Sequence, residues 1–576
     1  MERIYRLLYN RDLYLCAYGR IAKNAGALTP GVTEETIDSM SLAKIDAIIA
    51  AIRTERYRWK PARRVTIPKP HSTKRRPLGL PTWSDKLVQE VMRMILDAYY
   101  DPQFSPRSHG FRQGRGCHTA LKEMTRTWQG TTWFIEGDIA QCFDRLDHAY
   151  LMSILREQIH DGRFLRLIEG LLKAGYLEQW TFHSSLSGVP QGSILGPLLS
   201  NIYLDRLDQY VEQTLLPQYN QKAKRRRNRE YTRLEGTIRR RKKHGHLNEA
   251  ARLKAILQTL PSNDPYDPDY RRLHYVRYAD DFLLGFTGPR AEAEAITATL
   301  RTYLAETLHL ELSAAKTKIT HGRTDAAAFL GYHVVVYQDD TKRDDTGRRS
   351  INAGIGFRVP PTVLQRQRCR YMRNGKPRAR MECISNSDFS IVAQYQQEFR
   401  GLVNYYRHAY NLSKDLHTVE WMMEQSLVHT LARKFRVSCR RIYHRYTTRI
   451  TEGKTTTKVL QVTIPREGKP PLVAQWGGIS LKWDHRAILD DTPSYVWNTR
   501  TELAERLLAQ TCELCGGRTN IEVHHIRALK TLHPRGRKAR PRWMEVMAAR
   551  RRKSLVVCTA CHDDIHAGRA DGRRSE

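Results

Sequence analysis

The chain has 576 residues with 96 Lys and Arg against 60 Asp and Glu, a net charge of +36. That length exceeds one hydrophobic core and predicts three or more domains, and the charge predicts a polyanionic partner, with nucleic acid the expected class. A mean hydropathy of −0.59 with no long apolar run argues against a membrane span, and Met1-Glu2-Arg3-Ile4-Tyr5 lacks the apolar core of a secretion signal, so an intracellular location is expected.

In chain order, residues 1–60 combine helical spacing at Leu42, Ile45, Ile48, Ile49 and Ile52 with a turn at Thr29-Pro30-Gly31. Val65 to Pro70 and Lys74 to Pro81 read as an extended hairpin carrying cations, including Lys69 and Arg76. Asp85 to Tyr100 has the spacing of a core helix. Gly110-Phe111-Arg112-Gln113-Gly114-Arg115-Gly116 is a loop whose permissive backbone and two arginines suit close approach to a phosphodiester. Trp133 to Asp138 is an apolar strand ending in a carboxylate, followed by a turn, Ile139 and the aromatic Phe143. Gly188-Val189-Pro190-Gln191-Gly192 is a Gly/Pro loop running into a helix that carries Asn201.

Two basic runs, Lys222 to Arg227 and Arg239 to Lys243, lie in an insert over about 218–262 and suit RNA phosphates without sequence readout. His274 to Phe286 then predicts two short strands joined by a tight turn with Asp280 and Asp281 at its tip. Adjacent carboxylates beside apolar strands repel each other unless a cation neutralises them, and the oxygen ligands suit Mg²⁺. Ala291 to Leu308 predicts a helix. Residues 337–349 predict a polar hairpin or linker, 360–446 a basic helical region, and 450–500 a basic connecting segment.

Of ten cysteines, Cys512, Cys515, Cys558 and Cys561 form two Cys-x-x-Cys pairs, the pattern of a closed structural Zn²⁺ site. His524-His525 between them, and His562 and His566 on one helix face after them, predict a second metal site.

Asp138 and Tyr278-Ala279-Asp280-Asp281 resemble the catalytic motifs of reverse transcriptases. With Asn24 to Ala27, Thr29 to Val32, Pro190-Gln191-Gly192, Leu312 to Lys318, Phe329-Leu330-Gly331-Tyr332, Phe399 to Arg407 and Leu427 to Lys434, nearly the whole chain resembles the multifunctional proteins encoded by group II introns. The resemblance implies an α+β multidomain protein: an N-terminal extension (1–60), right-hand fingers and palm with an antiparallel sheet (61–340), a helical thumb or maturase domain (355–450), a DNA-binding segment (451–500) and a ββα-metal, zinc-containing HNH endonuclease module (501–576).

It implies that Asp138, Asp280 and Asp281, with Ile139 beside them, hold Mg²⁺ for cDNA synthesis. Lys69 and Arg76 would hold the dNTP triphosphate, Phe143 would exclude ribonucleotides, and Gln191 would lie against the template–nucleotide pair. Lys316, rather than Lys318, would protonate pyrophosphate. In the nuclease, His525 would be the general base and His524, His562 and His566 the ligands of a hydrated metal, Mg²⁺ being expected here too, with the roles of His524 and His525 open to reversal. The motif's middle Asn is not evident near Lys553-Ser554-Leu555. Gly196 stands where Ser is commoner. The expected partners are group II intron RNA, target DNA and dNTPs. The expected setting is a bacterial, nucleoid-associated cytoplasmic ribonucleoprotein or an organelle. Two other readings of the same residues are a splicing cofactor with little polymerase activity and a reverse transcriptase repurposed for host defence.

Overall fold

The computed structural model describes the chain apart from residues 25, 69–74, 180, 186, 190–191, 265–266, 344–348, 453–454, 467, 490–501, 533–540, 551 and 570–576. Lys69 and Gln191 lie outside the described residues.

The central sheet is fully antiparallel, in the order Arg272–Tyr278, Asp281–Thr287, Trp133–Asp138, Lys318–His321. Its apolar residues alternate between two cores. Tyr275, Phe282, Leu284, Phe286 and Ile135 pack with Leu199, Ile202 and Tyr203 of the helix Gly196–Tyr210 and with Ile296 and Leu300 of the helix Arg290–Glu306. Val276, Leu283 and Phe134 point the other way, onto Leu121, Met124 and Trp128. Burial on both faces explains why these strands read as near-continuous apolar runs, since period-2 alternation then separates two cores rather than core from solvent.

A second sheet carries the expected cationic hairpin. Ala62–Pro68 pairs antiparallel with Arg75–Leu80, and Ala62 and Arg63 pair in parallel with Tyr176 and Leu177 of the short strand Tyr176–Glu178. The helix Trp83–Tyr100 behind it starts on Thr82, whose hydroxyl accepts from Asp85 N. The insert is a helical hairpin, Arg229–Lys243 and Leu247–Thr259, and its run Arg240-Arg241-Lys242-Lys243 occupies a helix C-terminus, where cations offset the dipole.

From Tyr332 the chain forms a long hairpin, Tyr332–Arg343 with Arg349–Arg358, whose tip lies outside the described residues. The helices Pro361–Tyr371, Asp388–Tyr405, Leu412–Phe435 and Cys439–Tyr446 follow. The segment expected as a connector differs from expectation over its first part. Thr447–Glu452, Thr455–Arg466 and Lys469–Trp476 form a three-stranded antiparallel sheet. Its Leu460, Val462, Ala474 and Trp476 pack on the helical region, Trp476 at 5.5 Å from the Phe399 ring centroid. The period-2 pattern was hidden by Thr and Lys on its outer face.

At the C-terminal end, Ile521–His525 and Ser554–Cys558 pair antiparallel and the helix Thr559–His566 covers them, a ββα unit. This unit is docked on the N-terminal residues rather than hung from a linker. Ser39 N donates to Val523 O at 3.1 Å and Val523 N to Met40 O at 3.0 Å, and Val523, Leu507 and Ala504 share one core with Tyr18 and Met40.

Candidate active sites for polymerisation and strand cleavage

The central sheet brings the three predicted carboxylates together. Asp138, the last residue of its strand, stands directly opposite Asp281 in the register, and Asp280 is the preceding turn residue. Burial raises the Asp281 carboxyl, and the neighbouring Asp280 and Asp138 raise it further, to about 7. Burial and the charge of Asp138 also raise Asp280. Carboxylates gathered this closely repel one another and form a site that favours a cation. In this structure Lys316 supplies one: its Nζ donates to Asp138 Oδ1 at 2.7 Å. That hydrogen bond raises the Lys316 pKa. Lys318 lies on the edge strand opposite Glu136 and lines the same cavity of about 360 Å³ with Lys316, Asp138 and Asp281. Ile139 buries its side chain (1% exposed), so the main-chain carbonyl is the oxygen it can offer.

The turn itself is strained and held from beneath. Ala279 has φ +56°, a region an alanine seldom adopts. Arg277, fully buried two residues earlier, donates to Ala279 O at 2.9 Å, to Asn201 Oδ1 at 3.1 Å and to Ser108 Oγ at 2.9 Å, and is paired with the equally buried Asp208 at 2.5 Å. Burial alone would lower the Arg277 pKa, but Asp208 outweighs it and holds the guanidinium charged. Asn201, expected on the helix facing the site, is the middle of this network, donating to Gly110 O at 2.8 Å. A Cβ on Gly110 would stand 2.3 Å from Ala279 N, so only glycine lets that loop support the turn. Nothing in the sequence marked Asp208 or Ser108.

The surrounding loops divide the expected roles. Arg112 is not available to a phosphodiester: it is 6% exposed, with its guanidinium on Asp101 and on the carbonyls of Asp101, Ser105 and Ser108. Arg115 is half-buried and donates to Pro106 O. Phe111 instead is exposed, and its ring meets half-buried Phe143 edge-on at 6.3 Å. The expected loop 188–192 docks through Ser193 Oγ and Ile194 N, which donate to buried Gln89 at 2.8 and 2.9 Å. Gly192, at φ +110°, has no room for a Cβ against Gly79 O. Arg76 is exposed on its strand and close enough for its charge to lower Asp280. The turn Leu330-Gly331 is held by the helix Asp388–Tyr405, with Tyr405 Oη donating to Leu330 O at 2.8 Å and Tyr406 Oη to Gly331 O at 3.1 Å. In the basic insert, Arg226, Arg227 and Arg241 pair with Asp264, Glu235 and Glu249, while Arg239 and Arg240 are exposed.

In the C-terminal unit the thiols of Cys512, Cys515, Cys558 and Cys561 all lie within 4.8 Å of one another, a set able to hold one metal ion. The histidine cluster is also assembled, and it has a member the sequence did not announce: Asp38, from the N-terminal residues, joins His524, His562 and His566. His562 Nδ1 donates to Glu522 Oε1 at 2.7 Å, a carboxylate–imidazole pair of the kind that orients metal ligands. Burial lowers the His562 pKa, but hydrogen bonds to Asp38 and Glu522 outweigh it and raise it to about 9. His525 faces away from this cluster. Its Nε2 meets Tyr18 Oη at 2.8 Å, its main-chain N donates to Asp38 Oδ1 at 2.7 Å, and burial lowers its pKa to about 4. Opposite His525 in the register stands Ser554.

Three family models match in the order of these sites: reverse transcriptase (RNA-dependent DNA polymerase) over residues 67–334, type II intron maturase over 362–469, and AI2M/AI1M-like HNH endonuclease over 512–562. The group II intron-encoded protein LtrA of Lactococcus lactis is 35% identical over 589 residues, covering 98% of this chain and 95% of the relative. The chain is a group II intron-encoded protein. Among other relatives of the intron-encoded protein, the putative COX1/OXI3 intron 2 protein of Saccharomyces cerevisiae is 30% identical, with 99% of this chain and 66% of the relative covered. Protein YkfC of Escherichia coli is 34% identical over 58% of this chain and 83% of its own length. The intron-encoded protein is therefore an RNA-directed DNA polymerase with maturase and HNH endonuclease domains, serving intron splicing and mobility. Families of this kind bind intron RNA and DNA and use divalent metals. No described helix is long and apolar enough to cross a membrane.

Proposed function

We propose that Asp138, Asp280 and Asp281 hold Mg²⁺ for cDNA synthesis on the intron RNA, primed from a cut in target DNA. The observation that carries this reading is the register pairing of Asp138 with Asp281, with Asp280 adjoining and a lysine ammonium already drawn in among them. Bound Mg²⁺ supplies activation of a primer 3′-hydroxyl and stabilisation of leaving pyrophosphate. Arg76, with Lys69 beyond the described residues, binds the dNTP triphosphate. Phe143, braced by Phe111, excludes a ribose 2′-hydroxyl. Gln191, also outside the described residues, is assigned the contact with the template–nucleotide pair. Lys316 neutralises Asp138 until cations arrive; released, its ammonium is the proton donor to pyrophosphate.

The four cysteines hold a structural Zn²⁺, whose closed shell leaves strand cleavage to the histidine side of the module. There His525 acts as general base once its ring is free, and His524, His562 and His566 hold the metal. Exposed Arg239, Arg240, Lys242 and Lys243 take RNA phosphates without reading sequence. The division into N-terminal extension, fingers and palm, thumb, DNA-binding segment and nuclease follows from these roles, as does a cytoplasmic or organellar ribonucleoprotein setting. The test is the double variant Asp280→Ala/Asp281→Ala. It should lose template-primed dNTP incorporation by about 10³-fold or more, the several kcal/mol a metal contributes, while keeping intron RNA binding. Substantial cDNA from that variant would remove the metal assignment.

A further inference from the structure

The nuclease cluster is shared between the two ends of the chain. His524 Nδ1 lies 3.0 Å from His562 Nε2, which lies 3.1 Å from His566 Nε2. Asp38 Oδ1 is 3.2 Å from His562 Nε2 and 3.5 Å from His524 Nδ1, and Asp38 Oδ2 is 2.8 Å from His566 Nε2. A tetrahedral ion with bonds near 2.0–2.1 Å sets its ligand atoms about 3.3 Å apart. These spacings, two of them from Asp38 Oδ1 and one from Asp38 Oδ2, approach the edges of such a shell. The donor set fits as well. His562 donates from Nδ1 to Glu522, which leaves Nε2 facing two other imidazoles and a carboxylate. That convergence is unfavourable without a cation at its centre.

We infer that Asp38 of the N-terminal extension is the fourth ligand of the nuclease metal, so that one ion closes the cleavage site and clamps the HNH module to the polymerase. A catalytic metal keeps a position open for water or substrate, and a shell of three imidazoles and a carboxylate has none. The same docking covers the base, because Tyr18 of the helix Arg11–Ile21 takes His525 Nε2. The main-chain bonds of Ser39 and Met40 to Val523 hold Asp38 in place. Cleavage then requires Asp38 to leave the shell, either displaced by a DNA phosphate or withdrawn as the module lifts from the extension. A cleft of about 440 Å³ between extension and module, where Lys23, Arg527 and Lys553 join Arg506 and Arg552, the last two paired with Glu513 and Glu502, offers the phosphate a route to His525.

This inference rests on the nuclease reading above, and its first readout does not depend on cutting. Full-length protein with its cysteine site filled by Zn²⁺ is titrated with Co²⁺ and followed in the visible. Wild type should show the intense bands of four-coordinate cobalt. Asp38→Ala should bind Co²⁺ at least about 10-fold more weakly, the lower end of what loss of even an outer partner costs, with weak bands as water enters the shell. Asp38→Asn, which still accepts from His525 N and preserves the fold, should show the same spectral change. Nicking of duplex DNA by the chain with its intron RNA should rise several-fold in Asp38→Ala. Identical cobalt spectra in wild type and Asp38→Ala would overturn the ligand assignment. A fall in nicking with the spectrum changed would overturn the closed state and make Asp38 a working part of the site. If no variant cuts DNA at all, the nuclease reading fails while the cobalt spectra still decide Asp38.

Discussion

The polymerase and nuclease sites are assembled in opposite ways. Asp138 and Asp281 face each other on neighbouring strands of one sheet and Asp280 adjoins in the turn, so one sheet and its buttressed turn place them. The histidine cluster draws three ligands from one ββα unit and a fourth from Asp38, near the other end of the chain. A site made within one sheet is as stable as that sheet, whereas a site shared by two units reports whether the units are docked. The first suits an activity that must always be ready, and the second one that must be timed.

The sharpest way to break this contrast is to attack the polymerase site without touching a carboxylate. Arg277→Met leaves buried Asp208 unpaired and removes three further contacts under the turn. It should destabilise the palm by about 3–5 kcal/mol, the cost of orphaning a buried charge, and abolish cDNA synthesis, while zinc content stays at the wild-type level. Thermal unfolding and zinc assay check both halves; wild-type melting would mean the pair is solvated in solution. Next in size, Cys512→Ser should lose the zinc and unfold the ββα unit, because such shells supply much of a small module's folding energy. Since Val523 pairs with Met40, faster amide exchange should then spread to residues 39–40. Unchanged exchange there would separate the two units. The smallest effect concerns selectivity inside the sheet-built site. Phe143→Ala should relax dNTP-over-rNTP discrimination by about 10–200-fold, the range open to a steric pocket, and Phe111→Ala by less, through loss of the brace. Equal discrimination in both variants and wild type would make Phe143 packing only.

Legibility in the sequence followed the same division. The Asp-Asp hairpin, the helix Trp83–Tyr100 and both cysteine pairs are local patterns, and each was readable from spacing. Arg112 misled because glycine-flanked arginines signal phosphate contact only when exposed, and burial is set by Asp101 and by carbonyls that no local pattern reveals. The sheet over 447–476 is not legible locally because its buried face is completed by the helices between Pro361 and Tyr446. Asp38 had no signal at all: Thr36-Ile37-Asp38-Ser39 is an ordinary polar loop until the strand Ile521–His525 lies beside it.

The tyrosines at the end of the helix Asp388–Tyr405 carry one more consequence. Tyr405 and Tyr406 grasp the carbonyls of Leu330 and Gly331, and Tyr332 bonds back to Tyr405 O. Loop and helix are thus mechanically a single lever with no slack between its ends. Any swing of that helix drags with it the loop that lines the carboxylate cavity, so the wall of the site and the helix behind it move in the same stroke.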